Sequence, residues 1–272
     1  MSKIQLKCEL SYHNIHIMPY YKTKAFTLVS NRYMESDRIV TFFTYDSGKV
    51  PLIIKGVRRT KSHFGSVAEP FTQSTIMFYK STPDKLGVVE QTEIAYSNSN
   101  IRETYIGMIV LGYIASLLDV CLESYSQDTG IYHLIEHLLF ALGSKQDIEK
   151  SVMIFEWRLI AILGYRPEIN KCHLCGSPLT ENTYIDLKYP TVLYGQCCYQ
   201  KTNSGIYTIS SGSQKFLNNT LCAPLKETMR YRLMPSTRKT LRTAIRYMIL
   251  YHIPYVQSKR SAYEKEIQRI YP

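Results

Sequence analysis

No stretch of this chain is apolar for long enough to cross a bilayer. The longest such run, residues 105–118, stops at Asp119. That is short of the roughly 18 residues a span needs, so a buried helix is predicted there. The chain also lacks the Gly-x-x-x-x-Gly-Lys-Ser/Thr loop that cradles nucleotide phosphates and the Gly-x-Ser-x-Gly turn that presents a nucleophilic serine. Their absence excludes the chemistries those two turns carry. There is no internal repeat and no low-complexity tract. Residues 1–20 hold Lys3, Lys7, Glu9, His13 and His16 where a secretory leader would have an apolar core, so no leader is expected. The seven cysteines are odd in number and include the adjacent pair Cys197-Cys198, which argues for a reducing compartment.

Acidic residues are also scarce. Asp+Glu number 22 against 33 Lys+Arg, for a net charge of +11. The excess is uneven: residues 98–170 are acidic, while 21–97 and especially 226–272 are basic. Such asymmetry suggests an anionic partner reached by two surfaces, the plainer alternative being a solvated surface. A hydrophobic fraction of 45% is ordinary for a chain that folds around a core.

Periodicity divides the chain. Residues 1–20 have no clear period and read as an N-terminal extension. Five β-rich runs follow at 25–30, 38–45, 49–55, 71–80 and 86–94, separated by turn signals such as Asp46-Ser47-Gly48. That spacing predicts a small barrel or sandwich over 21–97. From residue 98 the period becomes helical. Apolar residues recur at i, i+3, i+4 over 102–125, 131–142 and 146–163, then again over 213–221 and 236–252. The third helix should be capped around 144–147 and stop near Gly164. Between them, 171–207 is rich in Cys, Gly, Pro and Tyr and has little period. The fold class is thus α+β, a barrel followed by a helical domain over 98–272 with an insertion at 171–207.

The densest chemical signal is Lys55-Gly56-Val57-Arg58-Arg59-Thr60-Lys61, four cations in seven residues, with Arg38 and Lys49 on the flanking strands. A barrel carrying such a lip can track phosphates with cations and stack bases on aromatics. Phe42, Phe43, Tyr45, Phe64 and Tyr79 are the nearby rings, and alternation puts about half of them in the core. A second stripe, Arg238, Lys239, Arg242 and Arg246, recurs at helical spacing, and Lys259 and Arg260 follow it. The expected nucleic-acid contacts are therefore Arg38, Lys49, Lys55, Arg58, Arg59, Lys61, Arg242, Lys259 and Arg260.

Two motifs suggest metal. Cys172-His173-Leu174-Cys175-Gly176 is half of a tetrahedral zinc knuckle. The second pair would be Cys197 and Cys198, but adjacent cysteines do not easily share one ion, and Lys201 stands where a fourth cysteine is expected. Both a zinc-bound element and a metal-free, hydrophobically stabilised one stay open. His133-Leu134-Ile135-Glu136-His137 matches the His-x-x-Glu-His pattern of some metalloproteases. It gives a rival reading as a zinc hydrolase using His133, Glu136 and His137. A third reading is an RNA-binding protein of the same barrel type.

The ordered set of pieces resembles the RecO family of bacterial recombination and DNA-repair proteins. The pieces are Glu35-Ser36-Asp37-Arg38-Ile39-Val40, Gly48-Lys49, 55–65, Pro70-Phe71, Phe155-Glu156-Trp157-Arg158-Leu159, Leu163-Gly164-Tyr165-Arg166-Pro167, Cys172-x-x-Cys175-Gly176 and Tyr251-His252. The resemblance implies an N-terminal OB-fold and a helical domain with an inserted zinc-finger-like element. It implies a non-enzymatic, cytoplasmic, nucleoid-associated mediator of the RecF pathway, with no membrane and no nucleotide. Proteins of this kind bind single- and double-stranded DNA and anneal complementary strands. They partner with RecR, and help RecA replace single-stranded DNA-binding protein (SSB), whose acidic C-terminal tail many of them grip in an apolar, basic-rimmed pocket. The basic loop maps onto Lys55, Arg58, Arg59 and Lys61, and the zinc pairs onto Cys172/Cys175 and Cys197/Cys198.

Overall fold

The computed structural model describes residues 20–60, 62–80, 85–144, 146–179, 183–186, 193–195 and 206–253, together with Glu266 and Arg269. The predicted extension over 1–20 lies outside them except for Tyr20.

Five strands close a barrel in the order β1-β2-β3-β5-β4. They are β1 (Tyr20–Tyr33), β2 (Asp37–Thr44), β3 (Gly48–Ile54), β4 (Gln73–Tyr79) and β5 (Gly87–Tyr96). The inward residues alternate as the pleat demands: Val40 and Phe42 on β2, Val50, Leu52 and Ile54 on β3, Ile76 and Phe78 on β4. β1 is 14 residues long, well beyond the predicted 25–30. Its first half pairs with β4 and its second half with β2, with a register shift between Thr27 and Val29. Bulges bend strands, and this one lets a single strand serve two neighbours. Lys22 and Lys24 point outward along the early half, so the sequence there lacks an apolar signal. Closure is completed by a short parallel pairing of β3 with β5, Leu52 to Gly87 and Ile53 to Val88.

The helical region follows: α1 (Ser99–Arg102), α2 (Tyr105–Cys121), α3 (Thr129–Gly143), α4 (Ile148–Ile162), α5 (Ser211–Cys222), α6 (Leu225–Thr228) and α7 (Pro235–His252). The caps predicted around α4 are present. Asp147 accepts the Lys150 amide at 3.0 Å, and Gly164 closes the helix at φ +83°. Trp157 is fully buried, and its indole N–H donates to the Leu217 carbonyl at 2.9 Å, joining α4 to α5. α7 is clamped to the start of α4: Arg238 reaches Asp147 at 2.8 Å and Glu149 at 3.1 Å, and Arg242 also pairs with Glu149.

The segment predicted as an insertion over 171–207 holds most of a three-stranded sheet, order β7-β6-β8, whose last strand runs two residues past it. Its strands, β6 (Thr183–Asp186), β7 (Leu193–Tyr194) and β8 (Ile206–Ile209), are too short to show a period in the sequence. No helix of the described residues is long and apolar enough to cross a membrane.

Barrel and helices share a packed seam. Phe26, Leu28, Phe43 and Phe71 belong to the helical core instead of the barrel's own. Phe26 meets the Tyr132 ring at 4.7 Å. Gly48 shows how tight the seam is. Its φ is +65°, and a Cβ there would lie 1.9 Å from the Ser126 carbonyl oxygen in the α2–α3 connection. Only glycine meets both demands.

Candidate nucleic-acid interface

The basic loop leaves the end of β3 and folds over the β1–β2 turn. The Asp37 carboxylate, at the start of β2, accepts the Gly56 amide at 2.8 Å. The Arg58 amide donates to the Ser36 carbonyl at 3.0 Å and its guanidinium to the Glu35 carbonyl at 2.9 Å. Gly56 at φ +65° makes the turn, which the Arg59 amide closes onto the Gly56 carbonyl at 3.1 Å. The Asp37 carboxyl is held below its usual range, chiefly by the Gly56 N–H and then by the Ser36 hydroxyl and the charges of Arg59 and Lys55, against slight burial. A carboxylate held ionised in this way keeps its grip on the loop at neutral pH and loses it only as pH falls through that lowered value.

Lys55, Arg58 and Arg59 are exposed. Among the described residues none of the three has a carboxylate within ion-pair distance. Arg58 gives one N–H to a carbonyl, which leaves its charge uncompensated. Lys61 lies outside the described residues.

Two more cations stand at the same end of the barrel. Arg38 is half-buried and donates to the Ser30 hydroxyl at 3.0 Å. Directly across the ladder from it is Arg32, which is exposed. Like charges directly opposed on a sheet repel, and an anion between them relieves the cost. Arg32 is absent from the sequence-derived set. The short turn at 34–36 was the available signal, because a hairpin there brings 32 opposite 38.

The structure places Lys49 elsewhere. Its ammonium, with the side chain only 13% exposed, bonds the Asp119 carbonyl at 2.6 Å and the Asp119 carboxylate at 3.3 Å. It neutralises the last turn of α2 and fastens the barrel to it, a favourable site for a cation. Lys49→Met is therefore expected to lower stability by about 1–3 kcal/mol and leave DNA affinity unchanged, as denaturant titration and a binding assay on the same protein would check. Arg242 is likewise drawn away, into the pair with Glu149. Lys259 and Arg260 lie outside the described residues.

The nearby aromatics are mostly core. Phe42 and Phe43 are fully buried, Phe64 packs on the barrel core, and Tyr45 meets Tyr132 edge-on at 5.3 Å. Tyr79 lies beside exposed Tyr20 at 5.7 Å.

The remaining motifs divide. Cys172 and Cys175 form a knuckle with Gly176 at φ +69°, whose amide donates to the Cys172 carbonyl at 2.9 Å. Burial raises the Cys172 thiol, but the N–H groups of Gly195, Cys175 and Leu174 outweigh it and bring the thiol below its usual value. Cys197 and Cys198 lie outside the described residues. Among the described residues no group of three metal-capable side chains assembles, so these supply half of a zinc site and do not by themselves fit the ion. On α3, His133 Nδ1 meets Glu136 Oε2 at 2.8 Å, while Glu136 Oε1 accepts from Gln73 of β4 at 2.9 Å. Both carboxylate oxygens are engaged, one within α3 and one across the seam to the barrel.

A pocket of about 580 Å³ opens between α3, α4 and the end of α5. Its walls are apolar at Leu134, Ile162, Leu221 and Pro224, and its cations are Arg158 and Arg166, with His133 and His137 nearby. Arg158 is fixed by bonds to the Thr220 carbonyl at 2.8 Å and the Ala223 carbonyl at 2.6 Å. Burial, with Arg158 and His133 next, holds His137 below the usual imidazole value.

Comparison with known proteins decides the ancestry of this arrangement. Residues 18–98 match the model for the recombination protein O N-terminal region, and residues 102–261 match that for the recombination protein O C-terminal region. The chain belongs to the RecO family. The DNA repair protein RecO of Alkaliphilus metalliredigens is 26% identical over 248 residues, 90% of this chain and 99% of that protein. The RecO of Halalkalibacterium halodurans is 26% identical over 89% of this chain and 93% of its own length. That of Caldanaerobacter subterraneus subsp. tengcongensis is 32% identical over 58% of this chain and 64% of its own length. In this RecO-family chain the two matched regions meet at α1, where the barrel has ended and the helices begin.

Proposed function

We propose that the protein is a non-catalytic recombination mediator that binds single- and double-stranded DNA and anneals complementary strands. With RecR it would help RecA load onto SSB-coated strands. The observation that carries this reading is the barrel end where Arg32, Arg38, Lys55, Arg58 and Arg59 gather with no carboxylate ion-paired to them among the described residues. Cations held this way replace the counterions of two strands and lower their mutual repulsion. Annealing is itself downhill, so no nucleotide site is required. The strand order, with β3 parallel to β5, supports an OB-type barrel. The pocket of Arg158 and Arg166 has the apolar walls and cationic rim suited to an acidic peptide end, and we assign the SSB tail to it.

The test is annealing of oligonucleotides coated with SSB, using SSB with and without its tail. The protein should accelerate annealing, and acceleration should fall when the tail is removed. Glu136→Gln should leave it unchanged, whereas a chelator-sensitive peptidase activity lost in that variant would favour the hydrolase instead. Absence of acceleration on either coated substrate would overturn the reading. Competition between matched DNA and RNA strands separates the RNA-binding alternative.

A further inference from the structure

At the far end of β5 from the basic loop, a cavity of about 690 Å³ opens between β5, α1 and α3. That is within the range of pockets that take small organic ligands. Two large aromatic side chains on its lining remain exposed, Tyr96 at 66% and Phe140 at 68%. Neither packs on another ring among the described residues. Two such rings flanking one cavity offer faces for a flat ligand.

The rest of the lining is amide-rich. Gln73 spends its N–H donors on Glu136 and Tyr132, which leaves its side-chain oxygen without a partner among the described residues. Asn98, held at φ +52°, donates to the Phe71 carbonyl at 2.9 Å and likewise keeps its oxygen unbonded. Asn100 makes no side-chain hydrogen bond among the described residues, so both ends of its amide are available. Amides present a donor and an acceptor side by side, which is the pattern along the edge of a nucleobase.

We infer that this cavity receives a nucleobase turned out of a single strand, its face against Tyr96 or Phe140 and its edge on the amides of Gln73, Asn98 and Asn100. The inference rests on the proposed single-strand binding and says where one base goes. Glu136 makes the cavity unsuited to a phosphate, so the backbone must pass outside it. The ten residues of β5 separate the pocket from the basic loop by about 30 Å. That span is within the reach of the several nucleotides such barrels cover.

The experiment compares an oligothymidylate with an abasic oligonucleotide of equal length, on wild type and on Tyr96→Ala/Phe140→Ala. Both rings are solvent-exposed, so the variant should fold; Tyr96→Phe/Phe140→Tyr, which keeps two rings, controls for that. The double alanine variant should lose about tenfold or more in affinity for the base-bearing strand. It should bind the abasic strand as wild type does, with an unchanged salt dependence, and the ring-retaining variant should behave as wild type. Equal losses on both strands, or no loss on either, would overturn the pocket while leaving the basic loop's role standing. Failure of wild type to bind either strand would overturn the mediator reading and the pocket with it.

Discussion

Reversing Arg58 and Arg59 together to Glu lowers single-strand affinity about a hundredfold at low salt. Both side chains are exposed, and the backbone bonds to Ser36 and Gly56 remain when the one side-chain bond, from Arg58 to the Glu35 carbonyl, is lost. The fold should survive, as an unchanged melting curve would show. Each arginine meeting a phosphate contributes a charge-assisted bond of about 1.5–3 kcal/mol, so losing two corresponds to at least a hundredfold. The salt dependence carries the finer information. A contact to single-stranded DNA contributes a slope of about −0.7 in log K against log salt, so the variant's slope should be shallower by about 1.4. Lys49→Met is the matched control, because that cation is already committed to Asp119. A variant that binds weakly with an unaltered slope would place the phosphates elsewhere.

Trp157→Ala is expected to destabilise the helical region by about 3–5 kcal/mol. The indole is fully buried between α4 and α5, and the substitution leaves a cavity and removes the bond to the Leu217 carbonyl. Since a domain's whole stability is about 5–15 kcal/mol, the variant should lose a large share of it. Denaturant titration followed by far-ultraviolet circular dichroism measures it. Trp157→Phe, which keeps most of the volume, should cost much less. A loss under about 1 kcal/mol for the alanine variant would contradict the packing described here. Trp157 is the chain's single tryptophan, so its fluorescence in the wild type reports the same transition.

The parts of the molecule legible in the sequence are those set by local pattern. Strands β3 and β4 alternate, the long helices repeat at 3.6 residues, and the basic loop is dense over seven positions. What escaped depends on distant partners. Lys49 and Asp119 are separated by 70 residues, and Arg242 and Glu149 by 93, so neither cation could be recognised as already paired. Gly48 and Phe71 read as family signposts, but their physical reason is the seam: one admits the α2–α3 connection and the other is buried against it. Arg32 needed a register, Tyr96 and Phe140 needed the fold that brings β5 to α3, and the small sheet of β6 to β8 was too short to show a period.

The measurement that bears most directly on the account is the affinity of the intact protein for a single-stranded oligonucleotide over a range of salt concentrations. Four or five cations at the barrel end predict a log–log slope of about −3, with tight binding at low salt. A flat response, or no affinity even at the lowest ionic strength, would contradict it.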